Sequence, residues 1–182
     1  MAVTEKIYHN HRLIKNITAL SFLQLMNYVF PLITVPYVVR VLGAEKFGLV
    51  SFIAAFVSYF TLLTDYGFNF SETRSISIQR DNHSLVAAIL ISVYTIKTIL
   101  FIVSTFIFII LIYFVPVFMT EKELCIVSYL SVVGTLLTPQ WYFQGISKMS
   151  VITWITFFVR MTIVIMVFTL VKWENDYKTY AL

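Results

Sequence analysis

Residues 85–115 read LVAAILISVYTIKTILFIVSTFIFIILIYFV, and Lys97 is their one charged residue. A bilayer takes about 20 residues of helix, so this run is more than long enough to cross one. Its length leaves two readings, a helix that projects beyond the membrane or a crossing that begins near Ile91. Lys97 is the informative residue. A cation at mid-membrane depth costs about 2.5–3.5 kcal/mol on insertion scales, and it persists mainly where a cavity or an anionic partner offsets that cost.

Outward from this run lie four more apolar stretches, at about 16–39, 47–64, 124–142 and 150–171. With a crossing at 91–115 they predict an all-α, polytopic membrane protein of five transmembrane helices. The last stretch holds a second central cation, Arg160. Pro31 and Pro36 remove backbone donors from the first span and are expected to kink or end it in its last third. Turns are expected at Gly43–Lys46 and Gly145–Lys148, and Pro116 with the Thr120–Glu123 group ends the third span. The polar stretch from Asp65 to Ser84 should hold a helix end at Gly67 and a short amphipathic piece. A polar tail, Lys172 to Tyr180, closes the chain.

Composition agrees. Only 12% of residues are charged and 59% are hydrophobic, whereas a soluble domain carries about 25% charge. The net charge of +4 is spread out, with no block of five basic residues, which argues against a nucleic-acid partner and a polybasic membrane-surface patch. The single cysteine, Cys125, excludes an intramolecular disulfide and fits no zinc-ligand spacing. His9, His11 and His83 lie outside the spans; no carboxylate pair sits at a useful spacing within one, and no glycine-rich phosphate loop occurs. The reading is therefore no enzyme, no catalytic residue, no metal and no cofactor. The first run is too long for a cleavable signal and lacks a small-x-small exit. Orientation is weakly marked. Lys6, Arg12, Lys15, Arg74, Arg80 and Lys148 fall on the N-terminal side against Arg40, Lys46, Lys122, Lys172 and Lys178 opposite, a slight bias toward an inside N-terminus.

Within the spans, polar residues recur at helical spacing: Gln24, Asn27, Pro31 and Thr34; Ser51, Ser58, Thr61 and Asp65; Tyr94, Lys97, Thr98, Ser104 and Thr105; Ser128, Ser131, Thr135 and Thr138; Thr153, Thr156 and Arg160. Small hydroxyl residues also pack helices together, so the stripes alone do not demand a cavity. The cations shift the balance toward one. Arg160 reads as a cavity residue or as half of a structural ion pair, and Lys97 as a cavity residue or one that snorkels to an interface. Asp65 and Arg40 end spans, and both read first as interface residues. The Trp141-Tyr142-Phe143 cluster fits an interfacial aromatic belt.

Three segments carry a resemblance. Thr34-Val35-Pro36-Tyr37-Val38-Val39-Arg40-Val41-Leu42-Gly43-Ala44-Glu45-Lys46-Phe47-Gly48 is similar to the junction of the first two helices of the Wzx-type polysaccharide flippases. Asp65-Tyr66-Gly67-Phe68-Asn69 resembles the segment that ends their second helix. Gln140-Trp141-Tyr142-Phe143-Gln144-Gly145-Ile146-Ser147-Lys148-Met149 resembles the aromatic-glycine segment closing their fourth, with Ser147 where relatives often carry Glu. The resemblance covers nearly the whole chain. It places the chain in the multidrug/oligosaccharidyl-lipid/polysaccharide exporter superfamily, whose members have about twelve helices in two six-helix lobes.

The resemblance implies a lipid-linked oligosaccharide flippase of the bacterial inner membrane, which moves undecaprenyl-diphosphate-linked sugars to the outer leaflet. Membrane lipids and polysaccharide polymerase machinery are its further partners. Five helices make an incomplete six-helix lobe, so the chain reads as an N-terminal fragment, inactive alone. A diphosphate needs a wet, cationic path. The expected substrate contacts are Arg160, through two parallel donors, and Lys97, as a mobile point charge. Gln24 and Asn27 are expected to meet sugar hydroxyls, and Arg40 is a further candidate contact. Three alternatives stand beside this reading. A drug/cation antiporter would favour acidic cavity residues, and a membrane-embedded glycosyltransferase would need a large polar loop. A scaffold subunit would be indifferent to loss of Arg160.

Overall fold

The computed structural model describes the backbone of residues 2–80 and 82–181, and the side chains of residues 17–18, 20–80, 82–174 and 176–181. The side chains of Lys6, His9, His11, Arg12 and Lys15 lie outside the described residues. The protein is all-α among the described residues. Its elements are α1 (Ala2–Asp65), α2 (Phe68–Gln79), α3 (His83–Phe114), α4 (Pro116–Thr120), α5 (Lys122–Leu137), α6 (Gln140–Gly145), α7 (Met149–Leu170), a 3-10 turn at Glu174–Asp176 and α8 (Tyr177–Tyr180).

The helix α1 is two arms joined at Gly43, whose backbone angles of φ 75° and ψ 163° break the helix. That region is essentially open to glycine alone. The neighbours of each arm show the reversal. Along the first arm, Leu23 packs against Met149 and Ile152, and Val38 and Leu42 pack against Val167 and Val171, so this arm runs parallel to α7. Along the second arm, Phe52 stacks on Phe118, Phe60 meets Tyr129, and Thr61 and Asp65 lie beside Ser131 and Thr135, so that arm runs parallel to α5. Because α5 and α7 follow each other in opposite directions, the two arms are antiparallel. Both prolines are accommodated within the first arm. The turn falls at Gly43, where the sequence placed it, and not at Pro31 or Pro36. Each proline still leaves the carbonyl four residues earlier, at Asn27 and Leu32, without its intrahelical donor.

The polytopic membrane character is plain in the four long apolar helices, the first of which carries both arms of α1. A large apolar surface stays uncovered: Phe106, Tyr113, Phe158 and Leu32 are all more than 60% exposed. In lipid such a face needs no other cover. The third stretch is one continuous helix from His83, capped by the Asn82 side chain, with Lys97 near its middle. Inside the expected fourth span the helix stops at Leu137. Pro139 fixes its own φ and pushes Thr138 into extended backbone, and the short helix α6 follows.

At the Asp65 end of the bundle, α2 and α6 pack closely. Gly145 is buried there, and a Cβ added to it would stand 2.6 Å from Ile76 Cγ2 and 2.7 Å from Ile76 Cβ. Thr73 Oγ1 donates to the Trp141 carbonyl across the same contact. This clamp corrects the aromatic-belt expectation for Trp141, which is only 1% exposed and packs with Ile76, Val86 and Val93. Gly145→Ala is expected to lower stability by about 1–3 kcal/mol through overpacking, measured as helix melting in detergent. Adding Ile76→Ala should recover part of the loss.

At the Gly43 end, the tail folds back onto the bundle. Tyr37 Oη donates to the Val171 carbonyl at 2.8 Å, Tyr177 donates to Glu121, and Lys178 pairs with Glu123 at 2.6 Å. The backbone N–H groups of Lys172 and Trp173 both donate to Asp176. The hydrogen bond and charge of Lys178 hold the Glu123 carboxyl below its usual range, the two backbone donors do so for Asp176, and Glu123 in turn raises Lys178. Lowered carboxylates contribute above their unfolded pKa and lose that contribution as pH falls through the folded value. A raised lysine contributes below its unfolded pKa and is lost above the folded one. Tail docking is therefore strongest between the usual carboxylate and lysine ranges. A spin label on Lys172→Cys should report a mobile tail in acid and an immobile one at neutral pH; native Cys125 is buried and spared labelling.

Candidate functional site

Two clefts of about 410 Å³ each open between the helices. The first lies between the first arm of α1 and α7, and Arg160 is its one charged lining residue. Its walls are otherwise apolar apart from Thr34, Thr138 and Thr156, with Phe30, Pro31, Ile152 and Ile163 among them. Arg160 stands near the centre of α7 and is half-buried. Among the described residues it has neither an ion-pair nor a hydrogen-bond partner. Its guanidinium therefore keeps all five donors for whatever enters the cleft.

The second cleft lies between the second arm of α1, the start of α2, and α5 with α6. It is lined by Thr61, Asp65, Asn69, Ser131, Gly134, Thr135, Thr138 and Gln140. Thr138 borders both clefts, so the two adjoin. Asp65 is the last residue of α1, as a span-ending residue should be. The turn after it uses left-handed backbone at Tyr66 and Gly67, and this sets the start of α2 beside the carboxylate. Lys97 Nζ donates to Asp65 Oδ1 at 2.5 Å, and Asn69 donates to Oδ2. Lys97 is only 3% exposed. The structure thus supplies Lys97 with an anionic partner, Asp65.

The remaining polar residues divide. Ser104 and Thr105 both bond the Tyr129 hydroxyl, at 3.1 and 3.0 Å, and tie α3 to α5. They serve packing. Thr34, Thr156 and Arg160 meet in the first cleft, and Thr61, Ser131 and Thr135 in the second. Gln24 and Asn27 are exposed on α1, on the face that continues one and two turns beyond Pro31, and they line neither cleft. Arg40 is exposed near the Gly43 end and also lines neither. No group of three metal-binding side chains occurs among the described residues.

A bundle with a cationic cleft and a hydroxyl-lined one meets a specific comparison. The model of a family described as polysaccharide biosynthesis protein matches residues 13–182. The chain belongs to that family. Two curated relatives, from Escherichia coli K12 and Shigella dysenteriae, are each named "Putative O-antigen transporter". The first is 33% identical over 163 residues, covering 89% of this chain and 39% of its own length. The second is 33% identical over 168 residues, covering 89% of this chain and 40% of its own length. The chain thus spans about two fifths of the curated relatives it matches. No solved structure matches it.

For this member of the polysaccharide biosynthesis family, sequence alone missed Asn69, Gln140 and the inward role of Asp65. Asn69 follows Asp65 by four residues, a spacing that signals a shared face, but the intervening turn hides it. Gln140 carries no local signal beyond its place after Pro139.

Proposed function

We propose that the protein acts in moving lipid-linked oligosaccharide, a polysaccharide or O-antigen repeat unit on undecaprenyl diphosphate, across the bacterial inner membrane, and that it is a transporter and not an enzyme. One observation carries this reading. Arg160, at mid-helix in an apolar bundle, faces a cleft with no anion among the described residues to neutralise it. An unpaired cation at that depth is costly unless an anionic ligand visits it. Arginine suits a diphosphate, since its planar donors hold two phosphate oxygens at once. The apolar walls of the same cleft suit the lipid that carries the phosphate.

Lys97 enters this account through Asp65. Paired as it is, it reaches a ligand only as part of a neutral couple beside the second cleft. Gln24, Asn27 and Arg40 stand outside both clefts, and in this reading they meet parts of the substrate farther along its path. Lipids surround the bundle, and the polymerase machinery receives the product. At two fifths of the relatives' length, this chain by itself is proposed to bind the substrate without completing a transport cycle. A cation antiporter fits less well, because its carboxylate would be Asp65, which Lys97 already neutralises.

Complementation tests the proposal in cells. In a strain that has lost surface polysaccharide through deletion of the gene, reintroduced Arg160→Ala should fail to restore it at matched protein level. Arg160→Lys should restore part. Full rescue by the alanine form would contradict the reading.

A further inference from the structure

We infer that the second cleft is a sugar subsite, placed to hold the first saccharide of a substrate whose phosphate lies at Arg160. The inference rests on the proposed function and adds to it where, and by what chemistry, the sugar is recognised.

Three observations lead there. The two clefts share Thr138, so the cleft that holds Arg160 adjoins the Asp65 cleft. The linings differ in kind: the first cleft is mostly apolar, while every lining residue of the second except Gly134 is polar. Third, the polar atoms of the second cleft are arranged as acceptors. Ser131 donates its proton to the Ser128 carbonyl at 2.7 Å, Thr135 to Val132 at 2.8 Å and Thr138 to Gly134 at 2.8 Å. Each hydroxyl oxygen therefore keeps its lone pairs for a ligand. Asp65 adds carboxylate lone pairs beyond those taken by Lys97 and Asn69. Thr61 and Gln140 have no side-chain partner among the described residues and can donate or accept.

A ligand for such a cleft brings many O–H donors and no net charge. Lys97 decides the second point. By pairing with Asp65 it cancels the one negative charge of the lining, which removes the attraction a metal cation would need. A second phosphate would meet Asp65 and a row of acceptors, with no free cation. A pyranose, ringed by hydroxyl groups, matches the lining, and an N-acetyl group would have the Gln140 amide as a partner.

The test compares two probes on the purified 182-residue chain in detergent: a short-chain prenyl diphosphate, and the same lipid bearing one N-acetylhexosamine. Wild type should bind the sugar-bearing probe about tenfold more tightly, as expected for a few neutral hydrogen bonds. The Thr135→Val/Gln140→Leu variant should reduce that preference to within about twofold and leave the sugar-free affinity unchanged. Arg160→Ala should weaken both probes alike. Equal binding of the two probes by wild type overturns the sugar subsite while the Arg160 reading stands, and needs no variant to fold. An undiminished preference in the double variant overturns it equally. If Arg160→Ala weakens neither probe, the phosphate reading falls, and a surviving sugar preference would still support the subsite. Repeating the titrations with sodium replaced by choline guards the chemistry. Sodium-dependent binding without a sugar preference would make this a cation site and overturn the inference.

Discussion

Replacing Asp65 by asparagine is expected to cost the chain about 3 kcal/mol of stability, the largest loss of any single change at the site. The reason is the position of its partner. Lys97 is 3% exposed while Asp65 is 23% exposed, so the substitution strands a full positive charge among helices. Breaking a buried ion pair from one side costs about 3–5 kcal/mol, and the partial exposure of Asp65 sets this case at the low end. Lys97→Met should cost less, about 1–2 kcal/mol. The carboxylate it leaves behind keeps Asn69 as a donor and has access to the cleft. The Asp65→Asn/Lys97→Met protein, with no charge to strand, should regain most of the loss. Urea or thermal unfolding in detergent, followed by helicity, reads all three. Equal losses in both single variants with no recovery in the double would mean that the pair is not a closed electrostatic unit.

Arg160→Ala is expected to behave in the opposite way, with a large effect on ligand binding and almost none on folding. No carboxylate among the described residues loses a partner when the guanidinium is removed. Stability should therefore hold, or rise slightly as a costly intramembrane charge disappears. For an anionic ligand the loss is direct. A hydrogen bond to a charged group contributes about 1.5–3 kcal/mol, which corresponds to roughly a 10- to 150-fold weaker Kd. Arg160→Lys keeps the charge and loses the fork, so it should fall between wild type and alanine. These two expected outcomes would separate a charge that holds the fold, in the Lys97–Asp65 pair, from one that binds a ligand, at Arg160, a division the sequence left open for both cations.

Much of the fold was legible because its signals are local. Apolar length marks the long helices, Gly43 marks the reversal, and Pro116 ends α3 where expected. A short helix, α2, does follow Gly67, but it is not amphipathic as expected: Ile76 is buried while Phe70 and Ile78 stand exposed. The site was harder, because its decisive facts join distant residues. Lys97 and Asp65 are 32 positions apart, and nothing local to either names the other. Ser104 and Thr135 look alike in sequence, yet one is held by Tyr129 and the other lines a cleft. The difference arises from helix rotation, which a polar stripe constrains only to a broad face. Trp141 misled because an aromatic cluster at a span end has two homes, the lipid interface and an interhelical contact. The close approach allowed by Gly145 selects the second.

Arg160 is proposed to be a phosphate site within a lipid-facing bundle. The most direct test is titration of the purified chain with a prenyl diphosphate and, separately, with the corresponding prenyl alcohol. Wild type is expected to prefer the diphosphate by at least about tenfold, and Arg160→Ala to lose this preference with its melting temperature unchanged. Equal binding of diphosphate and alcohol by wild type, or a preference that survives in Arg160→Ala, would contradict it.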